Sequence, residues 1–248
     1  MKISIITVSY NSAATIRDTL DSILSQDYPD IEHIIVDGGS TDETLTIVRE
    51  FPHVFKIITE KDNGLYHAMN KGITIASGEI VGILNSDDVY AQSSVLSKVA
   101  RRFSDENVNA SYGDLQYVKA TNTNQVVRTW KSGRFKPSDF YFGWMPPHPT
   151  FFVRRSVYTQ LGLFNTSLIT ASDYELMLRV LFKNRFKAVY IPEILVKMRS
   201  GGLSNSSIRQ RLAANKEDRI AWKTNELKPY FFTLYLKPLR KIFQFLMK

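Results

Sequence analysis

The sequence predicts an α/β fold: a single Rossmann-type domain with a mostly parallel central sheet and a helical C-terminal tail. Two observations carry this. Between residues 3 and 89, short β-rich apolar runs alternate with amphipathic helical stretches, strand then helix, three and a half times, with connections of ordinary length. Each apolar run also ends in small and acidic residues, which a parallel sheet gathers at one edge, the edge where open α/β sheets bind their ligands.

Taken in order, residues 3–8 form the first strand, and Asn11-Ser12 can cap a helix to about residue 26, with Ile16, Leu20, Ile23 and Leu24 on one face. After the turn Tyr28-Pro29-Asp30, residues 33–36 form the second strand and lead into Asp37-Gly38-Gly39-Ser40-Thr41-Asp42; Ser40 or Thr41 caps a helix to about residue 51. Residues 54–59 form a third strand ending in Glu60-Lys61-Asp62-Asn63-Gly64, and residues 65–76 a helix. The run at residues 80–84 is long enough for a buried strand and too short for a helix, and it stops abruptly at Asn85-Ser86-Asp87-Asp88. A helix over residues 92–104 follows. Residues 110–112, 115–118 and 126–130 read as short strands, with the turn-rich Thr121-Asn122-Thr123-Asn124 marking a hairpin. Residues 131–149 are rich in Pro, Gly and aromatics (Phe135, Phe140, Tyr141, Phe142, Trp144). They form a loop that either lines an acceptor pocket or packs on itself. A strand follows Pro147-His148-Pro149, and Arg154-Arg155-Ser156 opens a helix. Ser172-Asp173-Tyr174-Glu175 starts another, with Ser172 and Glu175 spaced as a capping box. Residues 186–191 form the last strand, followed by the Arg199-Ser200-Gly201-Gly202-Leu203-Ser204 segment.

The tail comprises a polar helix over about 206–224 and a basic, aromatic segment. From residue 227 to residue 248 there are five Lys or Arg and no acid. Phe231, Tyr235, Leu239, Ile242 and Leu246 recur at helical spacing, with Lys237, Arg240, Lys241, Gln244 and Lys248 on another face; Pro238 starts or kinks this helix. A basic amphipathic helix suits an anionic membrane surface or packs on its own domain or a partner.

Composition narrows the class. A chain of 248 residues, 44% hydrophobic, suits one domain with a small appendage. There is no cysteine, hence no disulfide framework or thiol chemistry, which fits a reducing cytoplasm. The apolar start reads as a first strand rather than a signal segment, and no run of about 18 apolar residues is present. The net charge of +8 points to anionic partners such as nucleotide phosphates or acidic lipid. The charge is not clustered on a nucleic-acid module, and neither G-x-G-x-x-G nor a P-loop is present.

Asp87 and Asp88 are the central candidates. Adjacent carboxylates at the end of a buried strand need a partner, and a hard divalent cation shared with a diphosphate supplies one; the alternative is a solvated acidic turn. Asp173 is either a general base or a first-turn acid favoured by the helix dipole. Arg199, beside glycines and serines including Ser204, could cradle a diphosphate as a fork donor. His148 could lie near acceptor or metal, or serve as a structural hydrogen bonder.

These residues carry a resemblance. The chain resembles an inverting family 2 glycosyltransferase of the GT-A fold over about residues 2–204. The segments concerned are Thr7-Val8-Ser9-Tyr10-Asn11, Asp37 through Asp42, Asp62-Asn63-Gly64 with Ala68, Asn70 and Gly72, then Asn85 through Asp88, and finally Ser172-Asp173-Tyr174-Glu175-Leu176. The subgroup it looks most like assembles bacterial exopolysaccharide or O-antigen. The resemblance implies a catalytic domain over 1–204 (nucleotide half 1–90, acceptor half 91–204) and a tail over 205–248. It implies sugar transfer from a nucleoside-diphosphate donor, a UDP-sugar, to a hydroxyl of a lipid-linked glycan. Asp173 would be the base; Thr7, Ser9, Asp37, Asn63, Gly64, Asn70, Ser86 and Asp87 would bind the donor; Asp87 and Asp88 would hold Mn²⁺ or Mg²⁺. The expected location is cytoplasmic and peripheral on the inner membrane face, contacted through residues 229–248. The chain departs from the pattern at Gly38, Asn85 and Ser172, each of which replaces an acid. These departures keep open a non-catalytic nucleotide-sugar-binding subunit. A sugar-1-phosphate nucleotidyltransferase would carry a Gly- and Arg-containing loop after the first strand, and Tyr10-Asn11-Ser12-Ala13-Ala14 contains neither.

Overall fold

Four parallel strands set the frame that positions the site. β1 (Ile3–Ser9), β2 (Ile31–Asp37) and β3 (Val54–Thr59) lie side by side, and β4 (Ile80–Ile83) joins the other side of β1. The structure, a computed structural model, describes residues 1–201 and 208–243. β1 and β4 are buried along their whole length, which explains why β4 reads as an unbroken apolar run and why β1, despite Ser4 and Thr7, alternates only weakly. β1 and β2 pair in register to Ser9↔Asp37, so these two side chains end side by side. The chain steps outward from β1 to β3 through α1 (Ile16–Leu24) and α2 (Thr44–Arg49), then returns through α3 (Leu65–Ile75) to β4. This reversal opens a crevice beyond the carboxyl ends of β1 and β4. α3 lies directly on β1 because residue 72 has no side chain: a Cβ there would stand 2.4 Å from Ile6 Cγ2.

The second half extends the sheet. β5 (Val89–Tyr90), α4 (Val95–Arg102), β6 (Ala110–Lys119), β7 (Asn122–Trp130), β8 (Phe152–Arg154) and α5 (Arg155–Leu161) follow in order. Then come α6 (Ser172–Met177), which runs on into a wide π-type turn over Leu178–Lys183, and β9 (Ala188–Arg199). The strand order is β3-β2-β1-β4-β8-β6-β9-β5, with β7 paired to β6. β8 enters antiparallel between β4 and β6, and β9 runs parallel to β6. Apolar side chains of one sheet face meet α3, α5, α6 and the tail, and those of the other meet α4.

Several expected boundaries shift. β6 is one ten-residue strand rather than two pieces, because the register slips between Gly113 and Asp114 instead of breaking. β9 likewise runs unbroken through Pro192: Gly113 pairs with Ile191 and Asp114 with Ile194, so the skipped residues absorb the proline's missing N–H. Most aromatics of residues 131–149 pack inward, Phe142 being the exposed exception. Phe140 and Trp144 are buried, and Phe135 stacks on Trp144 with ring centroids 4.5 Å apart. The capping box is absent. The N-cap of α6 is Ala171, the Ser172 hydroxyl is buried without a partner, and Glu175 pairs with Arg179 instead.

The tail helices α7 (Ile208–Thr224) and α8 (Thr233–Phe243) pack on the same body. Trp222 is fully buried and donates to the Tyr174 hydroxyl at 3.0 Å. Pro238 falls inside α8 rather than at its start. Lys237, expected on the basic face of this helix, turns inward: it pairs with Asp218 at 2.5 Å, and its ammonium sits 3.6 Å from the Tyr174 ring centroid. Burial of Leu234 and exposure of Tyr235 give α8 an inner and an outer side.

Candidate active site

The loops at the carboxyl ends of β1, β2 and β4 are laced together. Asn11 accepts from Thr41 N through Oδ1 and donates its own N–H to Ser40 Oγ. The Ser12 and Ser86 hydroxyls lie 2.8 Å apart, and Thr15 Oγ1 donates to Ser86 O. Asp37 is completely buried and accepts from Ser9 Oγ, Gly39 N, Ser40 N, Ser40 Oγ and Thr59 Oγ1. These donors already exceed the roughly four acceptor positions of a carboxylate. Asp37 therefore organises the loop, and a nucleoside reaches it only by displacing one of them. The Thr7 hydroxyl is fully buried 3.0 Å from His33 Nε2, so its side chain faces the core and not the open edge.

The turn between β4 and β5 carries the paired acids. Asp87 is half-buried and Asp88 fully buried. Burial raises both carboxyls, Asp88 well above the usual range, and the charge of Asp87 raises Asp88 further. Asn85 Nδ2 donates to Asp88 Oδ2 at 3.2 Å, yet Asn85 Oδ1 and Asp88 Oδ1 are buried with no donor. Two carboxylates and an amide oxygen, two of their oxygens orphaned, fit a hard divalent cation. Among the described residues no group of three or more His, Asp or Glu is placed to hold a metal, so the amide and non-protein ligands would complete the coordination. Arg199, expected as a diphosphate fork, is engaged within the protein. Its guanidinium donates to Ala120 O and Asp87 O and pairs with Asp18, so it braces the acidic turn from behind. Ser204 lies outside the described residues.

Asp173 sits in the first turn of α6 and is half-exposed. Its Oδ1 accepts from Tyr174 N at 2.8 Å and from the Tyr66 hydroxyl at 3.3 Å. Burial and then the Asp173 charge raise the Tyr66 phenol, so it stays a donor. Phe164 stacks on Tyr66 and meets the His148 ring edge-on. Burial lowers the His148 imidazole and Asp173 opposes that, which puts His148 within electrostatic reach of the candidate base. Asn70 is engaged elsewhere: its amide donates to Phe164 O and accepts from Phe164 N, both at 2.9 Å. It thus clamps the loop beside Asp173, with both ends of its amide engaged there. Asn63 and Gly64 are exposed at the start of α3, Gly64 in a left-handed conformation with φ of 120°.

Sequence reasoning missed Tyr66, Tyr117, Arg128 and Glu217. The Arg128 guanidinium stands 3.7 Å from the Tyr117 ring centroid. Burial raises the Tyr117 phenol, Arg128 opposes it, and the charges of Asp88 and Asp173 both add to it. This pair therefore lies within the electrostatic reach of both the acidic turn and the candidate base. Glu217 of α7 accepts from Ile169 N, Thr170 N, Thr170 Oγ1 and Ala171 N, fastening the loop that leads into α6. The predicted hairpin brings Tyr117 opposite Arg128, a pairing its register could have signalled, whereas no local pattern signals Glu217, which lies nearly 50 residues from the loop it holds.

A parallel sheet with acidic strand ends at its switch point defines the class as the GT-A transferase fold, and solved structures share it. The S. aureus TarS fragment 1–349 in complex with UDP-GlcNAc superposes with a TM-score of 0.69 at 19% identity, covering 92% of this chain and 68% of that one. The mannosyltransferase PcManGT from Pyrobaculum calidifontis, in complex with GDP-Man and Mn²⁺, gives 0.65 at 21% identity, covering 97% and 73%. This chain spans 41% of a longer TarS chain. At such identities the likeness concerns the fold. A PGL/p-HBAD biosynthesis glycosyltransferase from Mycobacterium bovis strain BCG is 31% identical over 211 residues, 83% of this chain and 80% of its own length. The Glycosyl transferase family 2 model matches residues 4–168. The chain belongs to glycosyl transferase family 2.

Proposed function

We propose that the chain transfers one hexosyl or N-acetylhexosaminyl unit from a nucleoside-diphosphate donor to an acceptor hydroxyl, with inversion. The observation that carries this reading is Asp173: a half-exposed carboxylate whose Oδ1 is oriented by Tyr66 and by the peptide of Tyr174. As the acceptor oxygen forms its bond to the anomeric carbon, Asp173 takes the acceptor proton while the bond from that carbon to the diphosphate oxygen breaks. An ordinary aspartate, of pKa about 4, is a weak base towards an alcohol, so proton transfer accompanies bond cleavage rather than preceding it. Asp87, Asp88 and Asn85 would hold Mn²⁺ or Mg²⁺, whose charge would stabilise the leaving diphosphate. Ser9 and Ser86 would border the nucleoside, and Asn63 and Gly64 stand exposed beside it.

The acceptor in this reading is a lipid-linked glycan of surface polysaccharide assembly, reached at the inner face of a membrane. Support comes from the relative's PGL/p-HBAD biosynthesis role, the UDP-GlcNAc complex of TarS, and the exposed aromatics of the tail. Asp173→Asn tests the transfer. Turnover of a UDP-sugar is expected to fall about 10²- to 10⁴-fold while the UDP dissociation constant stays within a factor of about two. Turnover equal to wild type would reject Asp173 as the base.

A further inference from the structure

Gly38 stands where the family pattern places a second acid, and it leaves one side of the loop after β2 without a side chain. A Cβ on Gly38 would lie 3.5 Å from Tyr10 Cδ2, 3.6 Å from Ser9 O and 3.7 Å from Asp62 Oδ2. A ring, a peptide oxygen and a carboxylate oxygen thus converge on the bare side of residue 38. The Asp62 side chain is 9% exposed. Its Oδ1 is held by Lys71, which also pairs with Glu60 at 2.6 Å, and its Oδ2 is buried with no hydrogen-bond donor. A buried carboxylate oxygen left without a donor is destabilising, and such a group calls for a partner. Asp37 offers no comparable vacancy, since its oxygens are already filled. Tyr10, the ring beside the same point, is 65% exposed, so it has room to turn and uncover the oxygen.

The fold does not choose the base, because one structural neighbour is bound to UDP-GlcNAc and another to GDP-Man. We propose, on the transferase reading above, that Asp62 selects the donor base: its Oδ2 accepts the imide N–H of a uracil lying against the Tyr10 ring. The carboxylate that Gly38 lacks is thereby supplied from the loop after β3. With Lys71 on Oδ1, a single oxygen is free. Uracil offers one imide N–H between two carbonyls and needs one acceptor. Guanine presents adjacent N1–H and N2–H donors that call for two. Cytosine would turn its N3 lone pair towards the carboxylate, which repels it.

The test is calorimetric titration of UDP, CDP and GDP at one fixed Mn²⁺ concentration. Wild type, Asp62→Asn, Lys71→Ala and Gly38→Val are compared, with each variant's thermal unfolding recorded. Wild type is expected to prefer UDP. In Asp62→Asn the amide oxygen keeps Lys71 and the amide N–H replaces the acceptor, so UDP affinity should fall roughly 10- to 100-fold and CDP should overtake it. Lys71→Ala frees Oδ1 as a second acceptor, so GDP affinity should rise relative to UDP. Gly38→Val, which covers the oxygen without touching the ion pair, should weaken UDP comparably. An unchanged UDP-to-CDP ratio in Asp62→Asn, or a wild-type preference for GDP or CDP, overturns the assignment while leaving the transferase reading intact. Failure of wild type to bind any of the three removes both.

Discussion

At the scale of single residues, the site is built from groups whose hydrogen bonds are already decided. Arg199 and Asn70 illustrate this: each is polar, was a candidate for ligand binding, and is engaged by partners within the fold. Their contribution is to hold the acidic turn and the loop beside Asp173. His33 has a signature that titration can test. It is completely buried, hydrogen-bonded to Thr7 Oγ1 and to His53 Nε2, and burial followed by the neighbouring His53 pushes its imidazole down to about 3. The unfolded chain binds a proton near pH 6.5, whereas the folded chain does not until far lower. The neutral form's stability is therefore present above about pH 6.5 and is lost as pH falls towards 3, at up to about 1.4 kcal/mol per pH unit. Urea unfolding between pH 7 and pH 4 is expected to show this slope, and His33→Gln should remove that part of it. Parallel slopes for the two proteins would contradict the neutral assignment.

At the scale of elements, the candidate base depends on a helix it is not adjacent to in sequence. α6 is short, starts at Ser172 and has no side-chain cap at Ala171, so its position depends on the loop that leads into it. Glu217 of α7 holds that loop, accepting from the peptides of residues 169, 170 and 171. Glu217→Ala is expected to cost about 1–3 kcal/mol of stability and to lower kcat with little change in the affinity for UDP, since the nucleoside end lies on the other half of the sheet. Thermal unfolding with paired kcat and binding measurements checks this. A stability loss with kcat unchanged would leave Glu217 purely structural. The local pattern could not reveal the arrangement. Ser172 and Glu175 have the spacing of a capping box, but Arg179 and Asn225 compete for Glu175 and win.

At the scale of the whole molecule, two faces matter: the crevice beyond β1 and β4, and the surface of the tail. Phe231 is 89% exposed and Tyr235 63%, with half-exposed Phe142 stacked on Phe232 at 5.9 Å and the cations Lys228 and Arg240 on the surface nearby in sequence. Aromatic rings beside basic residues suit the interface of an anionic bilayer. Co-sedimentation with phosphatidylglycerol vesicles is expected, weakening with salt and falling several-fold in the Phe231→Ser, Tyr235→Ser double variant. Equal binding to neutral phosphatidylcholine vesicles, or none to either, would reject the membrane surface as the tail's partner.

The parallel half of the fold was legible because its signals are local. Buried strands must be apolar along their length, the helices between them must show a 3.6-residue stripe, and the acids must fall at the turns. Residues such as Ser9, Asp37, Asp87 and Asp88 could therefore be placed at one edge from the sequence alone. What the tertiary structure decided is which polar groups remain available there. Thr7, Asn70 and Arg199 belong to the right segments, yet partners from distant strands and loops occupy them. Asp62, by contrast, keeps an oxygen without a donor. Nothing in the spacing of residues separates these cases, because hydrogen-bond satisfaction depends on neighbours 20 to more than 100 residues away. The same holds for the inward turn of Lys237, where a ring and a carboxylate from other elements outcompete water for its ammonium.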